Sequence, residues 1–347
     1  MTKVFVGMSG GVDSSVVAAL LVEQGYDVTG VYMKNWTQDM PGMICPWAED
    51  VADAKRVAVG LGIDFEVFDF EDEYRQRVVD AMVAEYQAGR TPNPDVMCNQ
   101  EVKFKLFLDT AMERGADMIA TGHYARTESG KLFEAIDQNK DQTYFLYRVG
   151  EGALRKTLFP LGDMTKKQVR EFAEQRNLWT ASKKESMGIC FVGQVGIKEF
   201  LEQYTELAPG NIVLKGTDEV LGQHDSAMLY TIGQRHGLNI GGGLPYYVVA
   251  KDMEENIVYV SQDLNDPAMW RQKLQLTDTS WVSSPPESAD LLTVRLRHRG
   301  DLLPVGQIEL GSGSASLRLE RSERAVAPGQ SAVLYRDGEV LGGGIVA

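Results

Sequence analysis

The sequence predicts an α/β protein in which a parallel sheet with flanking helices occupies the N-terminal part and small β domains occupy the remainder. Three observations support this prediction. Short apolar runs alternate with longer amphipathic stretches up to about residue 123, which is the pattern of βαβ units. A glycine-rich turn joins the first apolar run to the first amphipathic stretch. From residue 211 onward helical periodicity nearly disappears, and short alternating runs replace it.

The N-terminal elements are predicted in a regular order. Strands are expected over residues 4–6, 27–33, 65–70 and 118–121, because these runs are apolar or alternate. Helices are expected from residue 16 to Gly25 and over residues 48–61, 71–88 and 104–114. In a parallel sheet the ligand lies beyond the carboxyl ends of the strands, where the glycine-rich turn and Gly122 both fall.

The later part of the chain is predicted to form separate units. Helices are expected over residues 165–177 and 196–204, and Pro209-Gly210 marks a boundary in composition. Alternating runs at 246–249, 257–260, 292–296 and 332–335 predict strands. We therefore divide the chain into a catalytic domain (1–195), a small central β-rich domain (196–266) and a C-terminal β domain (267–347).

The composition is that of an acidic globular protein. The 347 residues are 44% hydrophobic and carry a formal net charge of −14. This acidity argues against promiscuous nucleic-acid binding, because phosphate contacts need a basic surface. Local basic clusters occur, although such clusters are usually solvated faces: Lys166-Lys167 with Arg170, Lys183-Lys184, and Arg295, Arg297 and Arg299. The start lacks a signal-peptide layout and no apolar run approaches a membrane span, so we expect a cytoplasmic protein without membrane contact.

The three cysteines are Cys45, Cys98 and Cys190. Their odd number and wide separation do not suit a disulfide framework, and no Cys-x-x-Cys spacing indicates zinc. A reducing compartment fits best, where each cysteine is either an inert small hydrophobe or a reactive thiol.

The first informative stretch is the turn from Gly7 to Ser15. Two adjacent glycines let the backbone approach a ligand, and the following helix N-terminus favours a phosphate. The turn lacks the Gly-Lys-Ser/Thr of a Walker loop and the spacing of the dinucleotide fingerprint. A tight turn without a ligand is the usual interpretation of such a segment. The string Ser-Gly-Gly-Val-Asp-Ser is more restrictive, however, and it resembles the pyrophosphatase loop of the PP-loop enzymes, which cleave ATP to AMP and pyrophosphate.

The second informative stretch runs from Gly89 to Asn99 and contains two prolines. The prolines predict a fixed extended loop, which should lead into a helix with Asn99 as its N-cap. Cys98 would then lie at a helix N-terminus, a position that favours the thiolate. Asp95 stands three residues earlier and could act as an acid or base. A proline turn with a half-buried cysteine explains this stretch equally well.

Cys190 lies in an apolar setting, Ile189-Cys190-Phe191, so a buried structural cysteine is the default interpretation. Upstream lysines at 183 and 184 could favour its thiolate, and Gly188 offers backbone freedom for a hinge. No role is assigned to Cys45.

Several short motifs occur together in one order along the whole chain: 9–15, Met33-Lys34-Asn35-Trp36, Thr91 to Asp95 with Cys98-Asn99, Ala120 to Tyr124, Lys140-Asp141-Gln142, Gly188 to Phe191, Thr231 to Arg235, Pro328 to Ala332 and Gly342-Gly343-Gly344. In this combination the sequence resembles the bacterial tRNA-specific 2-thiouridylases, which place sulfur on the wobble uridine of certain tRNAs. One departure is visible, because Arg297-His298 stands where the family has Arg-Tyr.

The resemblance implies a Rossmann-like PP-loop domain, then a small central domain and a C-terminal β-barrel-like domain. It implies ATP with Mg²⁺, bound by Gly7, Met8, Ser9, Gly10, Gly11, Val12, Asp13, Ser14, Met33 and Gly122. It implies catalysis by Cys98, Cys190 and Asp95, with a Cys98–Cys190 disulfide formed during turnover. It implies tRNA contacts through Asn93, Pro94, Asp95, Lys140, Asp141, Gln142, Arg297 and His298.

The implied reaction has two steps. ATP adenylates the uracil 2-oxygen, and the terminal sulfur of a persulfide on Cys190 then displaces AMP. Cys98 attacks that persulfide or resolves it. The partners are the tRNA anticodon arm and a persulfide-donating protein, either a cysteine desulfurase or a sulfur relay protein. Two other functions compete: an ATP-dependent amidating synthetase of the PP-loop class, and a nucleotide-binding module without catalysis. Neither of them explains the two thiols.

Overall fold

The computed structural model describes residues 1–39, 45–184, 196–241 and 243–347. Within these ranges the strands are β1 (Lys3–Gly7), β2 (Asp27–Lys34), β3 (Asp64–Asp69), β4 (Met118–Ala120), β5 (Arg126–Glu128), β6 (Lys131–Phe133), β7 (Thr157–Leu158), β8 (Gly210–Leu214), β9 (Val220–His224), β10 (Tyr247–Asp252), β11 (Ile257–Ser261), β12 (Trp270–Trp281), β13 (Leu292–Arg295), β14 (Leu303–Gly311), β15 (Ser314–Arg324), β16 (Ser331–Arg336) and β17 (Glu339–Val346).

The helices are α1 (Val12–Glu23), α2 (Trp47–Leu61), α3 (Glu71–Tyr74), α4 (Asp80–Gln87), α5 (Pro94–Cys98), α6 (Phe107–Glu113), α7 (Glu151–Leu154), α8 (Lys166–Gln175) and α9 (Ile197–Leu201). Two π-helical segments make longer continuous helices, because Arg75–Val79 joins α3 to α4 and Asn99–Leu106 joins α5 to α6. Short 3₁₀ turns lie at Thr143–Phe145, Ala227–Leu229 and Pro267–Met269. No helix in the described ranges has the length and apolar character needed to cross a lipid bilayer.

The predicted parallel sheet is confirmed, with five strands in the order β3-β2-β1-β4-β7. Strand β1 is apolar on both faces, and Val4, Phe5 and Val6 are completely buried. Its neighbours β2 and β4 lie on opposite sides, so the strand order reverses at β1. A crevice at the carboxyl end of β1 is therefore where a doubly wound sheet binds its ligand.

The first helix ends as predicted. The backbone of Gly25 is left-handed (φ +83°), and the N–H of the following Tyr26 donates to the carbonyl of Leu21. This closes the last turn of α1, because glycine adopts positive φ without steric cost.

The predicted β-rich character of the later domains is also confirmed. The central domain contains the sheet β10-β11-β8-β9, with a mixture of parallel and antiparallel pairs. In the C-terminal domain β12 pairs with both β15 and β17, which closes the strands β12-β15-β14-β13-β16-β17 into a barrel. Leu276, Val294, Leu317 and Leu334 are among the buried side chains that fill it.

The barrel also receives two strands from the N-terminal part of the chain. The hairpin β5–β6 continues the barrel sheet beyond β17, with Leu132 opposite Val340 and Phe133 opposite Glu339. The catalytic domain and the barrel therefore share one sheet, which fixes their relative position through backbone hydrogen bonds.

One buried amine in the central domain gives a testable effect on stability. Lys251 lies in β10, and its Nζ has no hydrogen-bond partner among the residues that the structure describes. Burial lowers the pKa of this lysine to about 8. An unsatisfied buried polar group typically costs about 1–3 kcal/mol, so Lys251→Met should raise the free energy of unfolding at pH 7 by about 1–2 kcal/mol.

The stabilisation produced by Lys251→Met should decrease as the pH rises. An unfolded lysine keeps its proton to about pH 10, whereas the folded Lys251 releases it near pH 8. The unfolded state then binds more protons in this window, so the wild-type protein gains stability there and the variant does not. Urea unfolding of both proteins at pH 7 and pH 9.5 measures this difference. An equally or less stable variant at pH 7 would show that the amine is well solvated.

Candidate active site

The glycine-rich turn lies between β1 and α1 and is held by its own serines. The Oγ of Ser14 accepts from the N–H of Ser9 (3.1 Å) and donates to the carbonyl of Gly11 (3.2 Å). Gly10 has φ +75°, and a Cβ there would lie 2.4 Å from the backbone oxygen of Asp50. The turn therefore requires glycine at this position, as its sequence indicates.

The turn and the segment after β4 together form the candidate nucleotide cradle. A Cβ on Gly122 would lie 3.1 Å from the backbone nitrogen of Ser14, so the backbone of Gly122 packs closely on the first turn of α1 and a side chain there would crowd it. Gly11 is the extended N-cap of this helix, and no side chain of the described residues caps it. Uncapped N–H groups at the positive end of a helix dipole suit a phosphate group.

Other residues predicted to bind the nucleotide contribute in different ways. Met8 and Val12 are buried, and Met8 packs against Gly30, so a nucleotide would reach only their backbones. Met33 lies at the end of β2 with its Cε 3.0 Å from the Cβ position of Gly7. It is half-buried beside the turn, and its side chain therefore borders the crevice.

Asp13 is held by two residues that sequence reasoning did not place in the site. The Nζ of Lys166 lies 2.7 and 2.8 Å from the two carboxylate oxygens, and the hydroxyl of Tyr124 donates to Oδ1 (2.9 Å). Lys166 is the first residue of α8 and is largely buried. The sequence contained a signal for it only as one member of a basic cluster.

A second network fastens the opposite side of the turn. Lys183 Nζ bonds Asp50 (2.8 Å) and Asp53 (2.7 Å), and the indole N–H of Trp179 also donates to Asp53 (2.8 Å). Two carboxylates thus neutralise the ammonium of Lys183. It is not the free positive charge expected to favour a thiolate at Cys190. Cys190 and Gly188 themselves lie outside the described residues.

The loop that carries Cys98 differs from the sequence-based prediction. The helix begins at Pro94, with Asn93 as its extended N-cap, and Asn99 has helical torsion angles (φ −63°, ψ −49°). The prediction of Asn99 as N-cap is wrong, because proline at the first helical position is pre-organised for a helix. Cys98 is buried and is the fifth residue of this helix, so the dipole effect expected for it is weaker.

Because α5 begins at Pro94, Asp95 and Cys98 are both helical and lie on one face, since residues three apart on a helix are neighbours. Burial raises the pKa of the Asp95 carboxyl, and the nearby ammonium of Lys103 offsets part of this increase. A raised pKa makes this carboxylate a stronger base than an ordinary aspartate, which suits a group that accepts a proton.

A polar contact links this face to the nucleotide cradle. His123 follows Gly122 directly, and its Nε2 lies 3.5 Å from the Nζ of Lys103 while its Nδ1 pairs with Thr121 Oγ1 (2.8 Å). Burial and then the charge of Lys103 lower the pKa of His123 well below its usual value, so the ring is neutral. The structure thus connects the glycine-rich turn with the Asp95–Cys98 helix through Gly122, His123 and Lys103.

Three of the sequence motifs meet at Thr91. Its hydroxyl pairs with that of Thr231 (2.9 Å), its carbonyl accepts from the side-chain amide of Gln330 (2.7 Å), and its N–H donates to the carbonyl of Pro328 (3.0 Å). Gly329 has φ +88°, and a Cβ there would lie 2.8 Å from the nitrogen of Thr91. The central domain and the barrel therefore both fix the loop before Cys98.

The residues predicted to contact RNA divide into buried and exposed groups. Asp141 is 3% exposed, and its carboxylate accepts from Ala135 N–H, Thr143 N–H and Thr143 Oγ1, with Arg295 3.6 Å away. Its side chain holds the 140–142 loop against the barrel. The Oε1 of Gln142 accepts from the N–H of Tyr124 (3.0 Å).

Arg297 and His298 lie in a turn after β13. The Arg297 side chain is 57% exposed and pairs with Glu323 (2.9 Å). The ring of His298 lies 4.5 Å from that of Phe145, and burial, followed by Arg299 and Arg295, lowers its pKa to about 4. Asn93 hydrogen-bonds Tyr144, while Pro94 is buried at the start of α5.

Family models match the chain in three consecutive segments. Residues 2–194 match the tRNA methyl transferase HUP domain, residues 198–262 its PRC-barrel domain, and residues 271–346 the aminomethyltransferase β-barrel domain. The tRNA-specific 2-thiouridylase MnmA of Geobacillus thermodenitrificans is 48% identical, covering 99% of this chain and 94% of that protein. The MnmA of Bacillus subtilis is 47% identical, covering 99% and 95%. This chain belongs to the tRNA-specific 2-thiouridylase family. It is accordingly a tRNA-modifying sulfurtransferase, and the amidating synthetase and the non-enzymatic module are not favoured.

Solved structures resemble the thiouridylase chain only in part. A 4-thiouridine synthetase–RNA complex with bound ATP is 17% identical with a TM-score of 0.37, covering 58% of this chain and 50% of that one. An NMN synthetase from Francisella tularensis is 19% identical with a TM-score of 0.35, covering 57% and 71%.

Proposed function

We propose that this chain uses ATP to adenylate the 2-oxygen of the wobble uridine in tRNA anticodons and then replaces that oxygen with persulfide sulfur. The supporting observation is the contact between the two motifs: the backbone of Gly122 packs against Ser14 of the glycine-rich turn, and the adjacent His123 contacts Lys103 on the helix that carries Cys98. Activation and sulfur transfer can then act on one base without its release.

In the first step the turn from Gly7 to Ser14 binds the phosphates through backbone N–H groups. The uracil 2-oxygen attacks the α-phosphorus, and pyrophosphate leaves. Lys166, fixed on Asp13, supplies positive charge where the leaving pyrophosphate becomes more negative. Mg²⁺, which usually takes one or two carboxylates and the phosphates, would neutralise the triphosphate. Asp13, the carboxylate of the turn, already pairs through both oxygens with Lys166, so Mg²⁺ would be held mainly by the phosphates.

In the second step Cys190 carries a persulfide whose terminal sulfur attacks C2 and displaces AMP. The Cys98 thiolate then attacks the Sγ of Cys190, which breaks the S–S bond and leaves the sulfur on the base. A Cys98–Cys190 disulfide forms, and a thiol reductant must return two electrons before the next cycle. Asp95 accepts the N3 proton of uracil as the 2-oxygen reacts and returns it to the thiolated base.

The partners follow from these steps. A tRNA anticodon arm supplies the base, with Asn93, Pro94 and Asp95 beside it and Lys140, Gln142, Arg297 and His298 as outer contacts. A persulfide-donating protein, either a cysteine desulfurase or a sulfur relay protein, loads Cys190. The cytoplasm provides ATP, tRNA and the reducing conditions that the disulfide requires.

A reconstituted reaction tests the proposal. The purified chain is incubated with ATP, Mg²⁺, an unmodified tRNA transcript and a persulfide source, and the nucleosides are analysed by mass spectrometry. We expect 2-thiouridine at the wobble position, with AMP and pyrophosphate in equal amounts. ATP cleavage with no sulfur in the RNA under these conditions would reject the proposal.

Two cations that are predicted to contact RNA give a separate prediction: Arg297 is 57% exposed, and Lys140 is half-buried. Arg297→Ala and Lys140→Ala should each weaken tRNA binding, and each should reduce the slope of log K against log salt by about 1. The matched control is Arg114→Ala, since that arginine is 55% exposed and paired with Glu66 in the same manner as Arg297 with Glu323. The measurement is the tRNA binding constant of each variant at a series of salt concentrations. Slopes equal to the wild-type value would exclude both phosphate contacts.

A further inference from the structure

Phe145 has no role in the steps above, yet it lies between the outer RNA contacts and the catalytic helix. It ends the 3₁₀ turn Thr143–Phe145, which directly follows the 140–142 loop. Its ring lies 4.5 Å from that of His298 at 39°, and 5.4 Å from that of Tyr144 at 84°. Phe145 and His298 are both half-buried, so part of this aromatic pair faces solvent.

The backbone of Phe145 is tied to the catalytic helix. Its carbonyl accepts from the side-chain amide of Asn99 (3.1 Å), and Asn99 follows Cys98 directly. On the other side, His298 follows Arg297, an exposed arginine of the C-terminal domain. The aromatic pair therefore lies between Arg297, a proposed phosphate contact, and the helix that carries Cys98.

The underlying Tyr144 makes the pair rigid. Its ring is 1% exposed, its hydroxyl donates to the carbonyl of Ser331 (2.9 Å), and Asn93 bonds the same hydroxyl. Tyr144 thus anchors the aromatic pair both to the barrel and to the N-cap residue of α5. A rigid aromatic surface costs little conformational entropy when a flat ligand binds it.

We propose that Phe145 and His298 form a stacking platform for a nucleobase of the anticodon loop that neighbours the target uridine. This inference rests on the proposed function, because it takes tRNA as the substrate. An enzyme that reacts at a base edge must take that base out of its stack, which leaves the neighbouring base without a partner. An aromatic side chain replaces the lost stacking and accepts any base, since every base has a π face.

The proposal also explains how a histidine can serve at position 298. Burial keeps the ring of His298 uncharged near neutral pH, so it offers a flat aromatic face rather than a cation. A tyrosine at the same position would offer a similar face. His298 should therefore contribute to binding by stacking and should add nothing to its salt dependence.

The test uses an anticodon stem–loop RNA with 2-aminopurine next to the wobble uridine, because the fluorescence of this base is quenched when it stacks. Phe145→Leu should bind about tenfold more weakly, lose the quenching and keep the wild-type salt slope. Phe145→Trp should keep both affinity and quenching. His298→Leu should weaken binding in the same direction, and His298→Tyr should restore it.

The control is Phe172→Leu, since that ring lies on α8 against Arg176 and has no part in the platform. The stacking inference would be overturned if Phe145→Leu and His298→Leu both kept wild-type affinity and quenching. If the wild-type enzyme thiolates the same RNA, the proposed function would still stand. A wild-type enzyme that neither binds nor thiolates the RNA would reject the proposed function together with it.

Discussion

Cys190→Ser is expected to abolish formation of 2-thiouridine while pyrophosphate release from ATP continues. The sulfur reaches the base only through the Cys190 persulfide in the proposed cycle, whereas the ATP cradle is built from other residues. Cys98→Ser should accept the persulfide but complete few turnovers, because no thiolate then releases the sulfur from Cys190. We expect a reduction in thiolation of at least about 100-fold in each case.

Mass spectrometry of the intact protein separates the two variants. Cys98→Ser should carry one additional sulfur atom after incubation with the donor, and Cys190→Ser should carry none. Cys45→Ser is the matched control, because Cys45 is half-buried, and the carbonyl of Trp36 accepts from its thiol at 3.6 Å. Full thiolation by Cys190→Ser would exclude the persulfide mechanism.

The geometry of this pair remains a prediction. A disulfide requires Cα atoms within about 7 Å, and Cys190 lies outside the described residues. Trapping the oxidised enzyme after a single turnover and mapping its cross-linked peptides would measure this approach directly. Turnover without any Cys98–Cys190 cross-link would require a different route for the release of sulfur.

The sequence predicted those parts of the fold whose signal is local. Strand β1 is an unbroken apolar run, and Gly25 ends α1 because glycine alone adopts its torsion angle freely. The helix that begins at Pro94 was missed because proline is compatible with both an extended loop and the first turn of a helix. The residues after the proline determine which of the two conformations forms.

Long-range contacts could not be predicted in the same way. Nothing near Leu132 indicates that it pairs with Val340, about two hundred residues later. The same applies to Asp141, which was expected at the RNA surface. Its carboxylate is buried on the N–H groups of Ala135 and Thr143 and lies 3.6 Å from Arg295, and an aspartate in a polar tripeptide gives no local sign of that distant arginine. Of the candidate site, the sequence therefore located the glycine-rich turn with its serines but not the two side chains that hold Asp13, Lys166 and Tyr124.

Lys166 is the most consequential of those side chains. Lys166→Met should reduce tRNA-dependent pyrophosphate release by about 100-fold or more, because a pre-positioned cation at the leaving group is lost. The neighbouring Lys167 is the matched control. Its side chain is 84% exposed and lies 3.7 Å from Glu171, so Lys167→Met should retain wild-type activity.

A double variant separates direct catalysis from support of Asp13. If Lys166 served only to neutralise Asp13, then Asp13→Asn combined with Lys166→Met would recover much of the rate, since no unpaired charge would remain beside Tyr124. If Lys166 acts on the phosphates, the double variant stays as slow as Lys166→Met alone. Initial rates of pyrophosphate release at saturating ATP distinguish the two results. Recovery in the double variant would move Lys166 from the reacting groups to the residues that position the turn.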